Sequence, residues 1–386
     1  MVSVLPSKIR VLIVSRSAPD PRHGSGQHME DFAHALEIQG CEVHYLALVL
    51  SPTELSRSAI CRVHFLEPQE GASRDWDACA QEWECRTVDR ICRLVVPDAV
   101  VADYSWMGGI FGSAYFKGNP AVKTLTFVHD LRVRIMPSFV RMGLLKSEDN
   151  RWTEEREARL LAEAGTLLTL NEQDQRMAAA LAPRARVLRM GMSVPAQAPA
   201  SVAAISGRCL YVASGANENL FAAMWLLKCV WPLVVSAHPS ASLVICGGVG
   251  DLLKPVAASG HDWLAGLDNL NVWIEGRVDD LAPYYAATEI ALVPHWMDGG
   301  IKIKHIEALA HGLAVVCTPA GADGLAEAVG RSALVAAMPE EFAGHINRLL
   351  ADGGKLAATR RHSYDLARQL TPEAVYREVL KFLRES

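Results

Sequence analysis

The chain has 386 residues, of which 50% are hydrophobic and 21% charged, and its formal net charge is −5. This length is typical of about two soluble globular domains, and the acidic balance argues against general nucleic-acid binding, which requires a basic surface. The 9 cysteines show no C-x-x-C spacing and are odd in number, so the sequence predicts neither a disulfide framework nor a zinc site.

The first half of the chain alternates strand and helix patterns. Apolar strands are predicted at residues 11–15, 42–50, 99–102, 124–128 and 166–170, and amphipathic helices at 27–39 and 151–164. Alternation of this kind predicts a parallel, doubly wound α/β sheet. Neither a signal-peptide core nor an apolar run of about 20 residues is evident, so we expect a cytoplasmic protein that at most attaches to the inner face of a membrane.

Residues 191–207 are uncharged and rich in small residues and proline, which predicts a linker. It would separate an N-terminal domain, residues 1–190, from a C-terminal domain, residues 208–370. In the second half, strands are predicted at 209–212, 242–246, 272–274, 290–293 and 314–317, with helices at 219–236, interrupted by Pro232, and at 372–384. We expect residues 371–386 to pack back on the N-terminal domain.

Doubly wound sheets bind ligands outside the carboxyl ends of their strands, and two such domains would face each other across a cleft. Five segments are predicted to lie at such strand ends: 24–26, 129–130, 214–215, 247–248 and 298–304. The first of these is a weak signal alone, since many loops contain a similar glycine pair. Their convergence predicts a binding site more strongly than any one of them.

The most informative segment is 299–312, where Gly299 and Gly300 follow an apolar strand and are predicted to open a helix. Backbone N–H groups at a helix start favour an anion, and Lys302 and Lys304 add positive charge there. Glu307, about one turn further, can accept hydrogen bonds from a sugar diol. Diphosphate beside ribose matches this set, so the segment predicts a nucleotide-sugar site. The alternatives are a solvated lysine face and a lysine–glutamate pair.

With these residues placed, the chain resembles the GT-B glycosyltransferases, most of all the retaining enzymes of glycosyltransferase family four. The resemblance covers nearly the whole chain and is most specific over residues 211–325, through segments 214–219, 231–232, 276–285 and 299–325. It implies two Rossmann-like, doubly wound domains facing a cleft, with a nucleotide-sugar donor held by the C-terminal domain and the acceptor by the N-terminal domain.

The resemblance also implies roles for individual residues. Lys302 and Lys304 would meet the diphosphate, Glu307 would bind the ribose hydroxyls, and His129 would contact the transferred sugar; these four are the expected catalytic residues. The further donor-binding residues would be Gly215, Asn217, Gly247, Arg277, Val278, Leu281, Asp298, Gly299, Gly300 and Ile301, and the phosphate and acceptor loop Gly24, Ser25 and Gly26. The family often has a glutamate at the position of Gly299, and we expect the adjacent Asp298 to substitute for it.

The expected chemistry requires no metal and no cofactor, because lysines and helix N–H groups oppose the charge of the departing diphosphate. UDP is the favoured nucleotide, and the acceptor would be a glycan, lipid-linked or other hydroxyl compound in surface-polysaccharide or glycolipid assembly. Retention would leave a phosphate oxygen as the base. An inverting enzyme would instead use Asp103, Tyr104 or Asp130. Asp279 and Asp280 fit a helix cap better than a metal site.

Three interpretations stay open at this point. Residues 131–146 mix four cations with apolar side chains, which indicates either contact with an anionic membrane near a lipid-linked acceptor or an ordinary loop and core helix. Asn217 and Asn219 either cap a helix or contact ligand. The rival functions are an epimerase or hydrolase of the same architecture and a non-catalytic nucleotide-sugar-binding subunit. An oxidoreductase is less supported, because Met29 breaks the G-x-G-x-x-G spacing.

Overall fold

The computed structural model describes residues 8–17, 24–48, 63–65, 79–193, 204–258 and 270–385. The chain divides into two compact units. Unit 1 comprises Met1–Arg134, Arg151–Ser193 and Pro372–Ser386, and unit 2 comprises Ile135–Asn150 and Val194–Thr371. Residues 135–150 were predicted to lie in the N-terminal domain, whereas in the structure they group with unit 2. Most of the predicted linker, 194–203, lies outside the described residues.

The strands in the described part of the chain are β1 (Arg10–Ser15), β2 (Glu42–Ala47), β3 (Val63–Phe65), β4 (Ala99–Asp103), β5 (Lys123–Val128), β6 (Thr166–Thr169), β7 (Arg186–Arg189), β8 (Arg208–Val212), β9 (Ser242–Cys246), β10 (Val272–Gly276), β11 (Ile290–Val293), β12 (Ala314–Cys317) and β13 (Ala333–Val335).

The α-helices there are α1 (Gly24–Ile38), α2 (Glu82–Val95), α3 (Ala114–Gly118), α4 (Arg132–Arg141), α5 (Glu154–Leu161), α6 (Glu172–Leu181), α7 (Asn217–Trp225), α8 (Trp231–Ala237), α9 (Gly248–Ala258), α10 (Ala282–Ala286), α11 (Ile303–Ala310), α12 (Pro339–Ala351), α13 (Gly353–Ala367), α14 (Pro372–Val375) and α15 (Arg377–Arg384).

Unit 1 is built on a parallel sheet whose described strands run in the order β3-β2-β1-β4-β5-β6-β7. Ile13 on the central strand β1 lies opposite Tyr45 on β2 and Val101 on β4. The side chains of residues 11–14 are fully buried, as expected for a strand covered on both faces by helices. The strand order reverses between β1 and β4, so the switch point of unit 1 lies at their carboxyl ends.

Unit 2 repeats the arrangement with the order β10-β9-β8-β11-β12-β13, again in parallel. Leu210 on β8 pairs with Val244 on β9 and with Ala291 on β11. The order reverses between β8 and β11, which places the switch point of unit 2 at the loops after these two strands. Both doubly wound sheets predicted from the sequence are therefore present.

One helical stretch is longer and more apolar than the sequence pattern predicted. Asn217–Ala237 is 21 residues long and apolar enough, by length and composition, to cross a membrane, whereas no apolar run of about 20 residues was predicted from the sequence. A core helix passes the same test, and Trp231 on this stretch is buried in the core of unit 2. Pro232 lies in the first turn of α8, after a π-helical segment, Leu226–Val230, so the helix continues across it.

The C-terminal residues belong to unit 1 and form two short helices rather than the single one predicted. Tyr376, between α14 and α15, is fully buried, with its ring centroid 5.3 Å from that of Phe32 on α1. Lys123 donates hydrogen bonds to the carbonyls of Phe382 (3.0 Å) and Leu383 (2.9 Å). These contacts satisfy carbonyl groups that the end of α15 leaves without helical donors.

Candidate functional site

The turn that precedes α11 differs from the predicted helix start. Gly299 and Gly300 have φ angles of 91° and 63°, α11 begins at Ile303, and Lys302 is its N-cap residue. A left-handed backbone at two consecutive positions is costly for residues with a Cβ, so the glycine pair forms the turn before the helix and not its first turn. The Gly299 N–H donates to Asp323 Oδ2 at 2.8 Å, which anchors the turn.

Lys302 lies under this turn. It is only 7% exposed, and its ammonium donates a hydrogen bond to the Gly299 carbonyl. The alternative of a solvated lysine face is therefore wrong for Lys302. Its charge is placed beside the loop after β11, at the switch point of unit 2.

Lys304 connects the two loops of that switch point. Its Nζ donates to Asn219 Oδ1 at 2.8 Å and lies 5.3 Å from the ring centroid of Tyr211. The Asn219 amide in turn donates to Ser214 Oγ at 3.0 Å. Burial, and then the neighbouring Lys302, lowers the pKa of Lys304 to about 7, whereas Glu218 and Glu307 act in the opposite direction. Two lysines this close favour an anion between the loops.

The structure also answers the capping question for the two asparagines. Ala216 is the N-cap residue of α7, and Asn217 is its first helical residue. Neither asparagine is therefore the cap. The Asn219 side chain accepts a hydrogen bond from Lys304, a contact that was not predicted, and contact of either asparagine with a ligand stays a prediction. The Ser214–Asn219 spacing in a strand-end loop was the signal that could have indicated the contact with Lys304.

Glu307 lies one turn along α11 and is half-buried. The Tyr285 hydroxyl donates to Glu307 Oε2 at 2.8 Å, and the Tyr285 ring stacks on His311 with centroids 4.5 Å apart and planes 6° apart. Burial raises the pKa of Glu307, and the Tyr285 hydrogen bond and then Lys304 oppose this shift. Glu307 is thus held by a tyrosine and not by a lysine, and Tyr285 is a site residue that the sequence analysis did not select.

Close backbone packing between two strand-end loops accounts for the glycines at positions 215 and 247. A Cβ on Gly248 would lie 2.7 Å from Gly215 N, and one on Gly215 would lie 3.3 Å from Gly248 O. Gly247 has φ +93°, and a Cβ there would overlap the Ala213 carbonyl. These glycines let the loops after β8 and β9 approach closely, at the edge where the predicted ligand would bind.

The segment expected near the base follows the edge strand β10. Arg277 is exposed, its N–H donates to Asp251 Oδ1 at 3.2 Å, and its guanidinium lies 3.9 Å from the same carboxylate. Val278 and Leu281 are partly exposed in the loop before α10. Asp280 Oδ1 accepts a hydrogen bond from Ala282 N at 2.9 Å, so this acid serves the start of α10 as predicted.

Asp298 has a cationic partner in the structure. Arg141 donates to Asp298 Oδ2 at 2.6 Å, and Ser138 donates to the same oxygen at 3.0 Å. Its carboxylate is therefore already paired beside Gly299, and its substitution for the glutamate of the family stays a prediction. Ile301, between Gly300 and Lys302, is partly buried.

Three of the four cations of residues 131–146 have side-chain contacts within the protein, and the fourth, Lys146, is exposed. Arg134 pairs with Asp174 at 2.8 Å, Arg141 pairs with Asp298, and Arg132 lies 4.8 Å from the ring centroid of Trp106. The structure favours the alternative of a helix and loop held within the fold. The membrane contact stays a prediction.

A second polar cluster lies at the switch point of unit 1. His129, 7% exposed, follows β5, and its Nε2 lies 2.7 Å from Asp103 Oδ1. Ser15, at the end of β1, donates to Asp103 Oδ2 at 2.6 Å. Both oxygens of Asp103 are thus engaged, and the predicted convergence of strand-end residues is present within this unit. His28 on α1 lies 5.8 Å from His129, and burial holds its pKa well below its ordinary value.

Gly24, Ser25 and Gly26 lie in the first turn of α1 and do not form a loop, which corrects the sequence analysis. Ser25 hydrogen-bonds with Tyr104, a residue with φ 72° directly after β4. A non-glycine residue with positive φ is uncommon and is often found at functional sites. The Tyr104 ring lies 4.4 Å from that of His129, so Ser25 reaches the histidine cluster through Tyr104.

The pKa of Lys304 predicts a pH dependence for the binding of a diphosphate. A bound anion favours the ammonium form, so the pKa of Lys304 rises from about 7 on binding. Below pH 7 Lys304 is already charged, so the affinity for the diphosphate does not depend on pH through this residue. Above pH 7 binding takes up a proton, and affinity should fall by up to about tenfold per pH unit. Titration calorimetry of UDP at pH 6–9, with Lys304→Met as control, measures this; an equal slope in the variant would contradict it.

Two parallel doubly wound sheets, each with a polar cluster at its switch point, define the GT-B class of glycosyltransferase folds. Residues 206–352, which lie within unit 2, match the model of the family described as Glycosyl transferases group 1. Over 133 residues the chain is 29% identical to a Klebsiella pneumoniae protein described as an uncharacterized 44.6 kDa protein in the cps region. That match spans 33% of each chain, about a third of the length of the relative.

Solved structures agree in fold over 97–98% of the chain. Sucrose-phosphate synthase from Thermosynechococcus elongatus is 17% identical, with TM-score 0.73 and 98% of both chains covered. Anabaena Alr3699/HepE in complex with UDP-glucose is 13% identical, with TM-score 0.69 and 97% and 99% covered. The pneumococcal O-GlcNAc transferase GtfA in complex with UDP and GlcNAc is 10% identical, with TM-score 0.71 and 98% and 100% covered. The predictions of the GT-B fold and of the glycosyltransferase class are confirmed; assignment to family four stays a prediction.

Proposed function

We propose that this protein transfers a hexose-type sugar from a UDP-sugar to a hydroxyl acceptor, with retention at the anomeric carbon, in the assembly of a surface polysaccharide. The observation that carries the proposal is the cluster of Lys302, Lys304 and Glu307 at the switch point of unit 2. The UDP complexes of the structural neighbours support the donor class, and the cps-region relative supports the polysaccharide setting.

In the proposed reaction the bond between the anomeric carbon and the diphosphate oxygen breaks, and its electron pair leaves with UDP. Lys302 and protonated Lys304 oppose the charge that develops on that oxygen. Glu307 holds the ribose and so fixes the position of the diphosphate against the lysines. The acceptor hydroxyl adds to the anomeric carbon from the same face, and its proton passes to the departing phosphate oxygen.

The unit 1 cluster argues against one of the three groups that an inverting reaction could use as its base. It leaves Asp130, whose buried Oδ1 has no hydrogen-bond partner among the described residues, as a candidate for that role. An inverting enzyme needs a carboxylate that is free to take the acceptor proton. Asp103, one of the acids considered for that role, is engaged through both oxygens, with His129 and with Ser15. Asp103 is better suited to orient His129, the residue expected to contact the transferred sugar.

A thermal-shift panel of UDP, GDP, ADP, TDP and CMP tests the donor class. A ligand that binds only the folded state stabilises it by about 2.7 kcal/mol at 100 times its Kd, which raises Tm by roughly 5 °C in a protein of this size. We expect the largest rise with UDP, and the same rise with EDTA present. No shift with any nucleotide would contradict the proposal.

A transfer assay separates the rival functions. With a UDP-sugar and a hydroxyl acceptor, the proposed enzyme releases UDP in proportion to acceptor. An epimerase or hydrolase would consume the donor in the absence of acceptor. A binding subunit would show a rise in Tm with UDP but would release no UDP from the donor. Either pattern would replace the proposed activity.

A further inference from the structure

Tyr285 is the residue that fixes the carboxylate of Glu307. It lies on α10, is 3% exposed, and donates to Glu307 Oε2 at 2.8 Å. Within the described part of the chain, the Tyr285 hydroxyl is the one hydrogen-bond donor to Glu307. A hydrogen bond to an ionised carboxylate is among the stronger ones in proteins, so it holds the carboxylate plane in one orientation.

His311 fixes Tyr285 independently. It is the C-cap residue of α11, about one turn beyond Glu307, and its ring is stacked on Tyr285 with a 4.5 Å centroid distance and a 6° interplanar angle. The tyrosine ring is therefore held by stacking and its hydroxyl by the carboxylate, both from α11. A side chain with two such restraints is pre-organised, and little freedom is lost when a ligand binds.

This arrangement leaves Glu307 Oε1 to accept a hydrogen bond from a ligand hydroxyl. Because Glu307 is half-buried, a ligand that lacks this hydroxyl would leave the oxygen desolvated and unpaired. A site built to hydrogen-bond a hydroxyl rejects the analogue that lacks it far more strongly than an apolar pocket rejects a change of size. Only the 2′-hydroxyl is absent from 2′-deoxyribose, so a site that binds the 2′-hydroxyl at Oε1 discriminates between ribose and 2′-deoxyribose.

We propose that Tyr285, supported by His311, is a positioning residue that makes the donor site selective for ribonucleoside diphosphate sugars over their 2′-deoxyribonucleoside counterparts. The inference rests on the proposed function, because it requires a nucleotide at Glu307. It extends that function by assigning recognition of the ribose of the nucleotide to this site. It also predicts that deoxythymidine diphosphate sugars are poor donors.

The test is the ratio of the Kd values of 2′-deoxy-UDP and UDP, measured by titration calorimetry on the full chain. A hydrogen bond to a charged group corresponds to a ratio of about 10 or more in the wild type. In Tyr285→Phe we expect the ratio to fall to about 3 or less, with affinity for 2′-deoxy-UDP nearly unchanged. Tyr284→Phe is the matched control, because the neighbouring Tyr284 hydrogen-bonds with Glu275 and should keep the full ratio.

A merely structural role for Tyr285 would weaken both ligands equally and leave the ratio intact, so a wild-type ratio in Tyr285→Phe overturns the inference. A wild-type protein that binds UDP and 2′-deoxy-UDP equally also overturns it and leaves the proposed function standing. A wild-type protein that binds neither overturns both. If Tyr285→Phe does not fold, His311→Ala is the alternative variant, because it removes the ring that stacks on Tyr285. We expect it to lower the ratio of the two Kd values as well, and an unchanged ratio would overturn the inference.

Discussion

Replacing Lys302 and Lys304 together by methionine should lower kcat about 100-fold or more, with a much smaller change in KM for the donor. The diphosphate of the donor already carries negative charge that the lysines bind, and further charge develops as UDP leaves. Loss of the two ammonium groups therefore weakens donor binding but lowers turnover more strongly. Methionine keeps the volume and apolar stem of lysine, so Lys302, which is buried under the Gly299 turn, leaves no large cavity.

The matched control is Lys355→Met on α13, whose backbone N–H donates to Asp352 at the start of that helix. It should leave both kinetic constants unchanged. Steady-state rates with a UDP-sugar and acceptor, together with melting curves of each variant, measure the effect. Turnover near the wild-type rate in a folded double variant would remove both lysines from the reaction and break the proposed mechanism.

The sheets could be predicted from the sequence because parallel strands buried on both faces are continuous apolar runs. Strands β1 and β11 are of this kind, and their predicted bounds agree to within one residue. The strands that were missed, β3, β7 and β13, are at sheet edges and are only three or four residues long. An edge strand such as Arg186–Arg189, in which two apolar residues lie between two exposed arginines, carries only a short apolar signal.

The candidate site was partly predictable for a similar reason. Lys302, Lys304 and Glu307 lie within one short segment, so their spacing along α11 could be seen directly. Tyr285 is 22 residues before Glu307, and only the tertiary fold brings its hydroxyl to the carboxylate. The same holds for Asn219, which is 85 residues before Lys304 and meets it across the switch point.

Local backbone geometry accounts for the remaining errors. A glycine pair before an apolar helix can be the first turn of that helix or the turn that precedes it, and the sequence does not distinguish them. The φ angles of Gly299 and Gly300 place the start of α11 at Ile303 and turn Lys302 inward. The opposite error occurred at Gly24 and Gly26, which were taken for a loop and are helical.

Replacing Glu307 by alanine should weaken UDP binding by about 10- to 100-fold, the value of a hydrogen bond to a charged acceptor. The change in stability should be small, because two effects oppose each other: the buried Tyr285 hydroxyl loses its acceptor, and the cost of holding a partly buried carboxylate is removed. Burial raises the pKa of Glu307, which means that the folded state disfavours the ionised carboxylate at neutral pH, and the substitution removes that cost. Glu327→Ala, an exposed acid in the same unit, should change neither affinity nor Tm.

The choice of ligand separates the ribose contact from the diphosphate contacts. UMP and UDP share the ribose, so Glu307→Ala should weaken both by the same factor in titration calorimetry. The lysine double variant should weaken UDP more than UMP, because UMP lacks the second phosphate. Equal losses of both ligands in both variants would mean that the cluster acts as one structural unit, and unchanged UDP affinity in Glu307→Ala would remove this residue from the site. Since Glu307 and Lys304 lie one turn apart on α11, the two patterns together determine how the nucleotide is oriented along that helix.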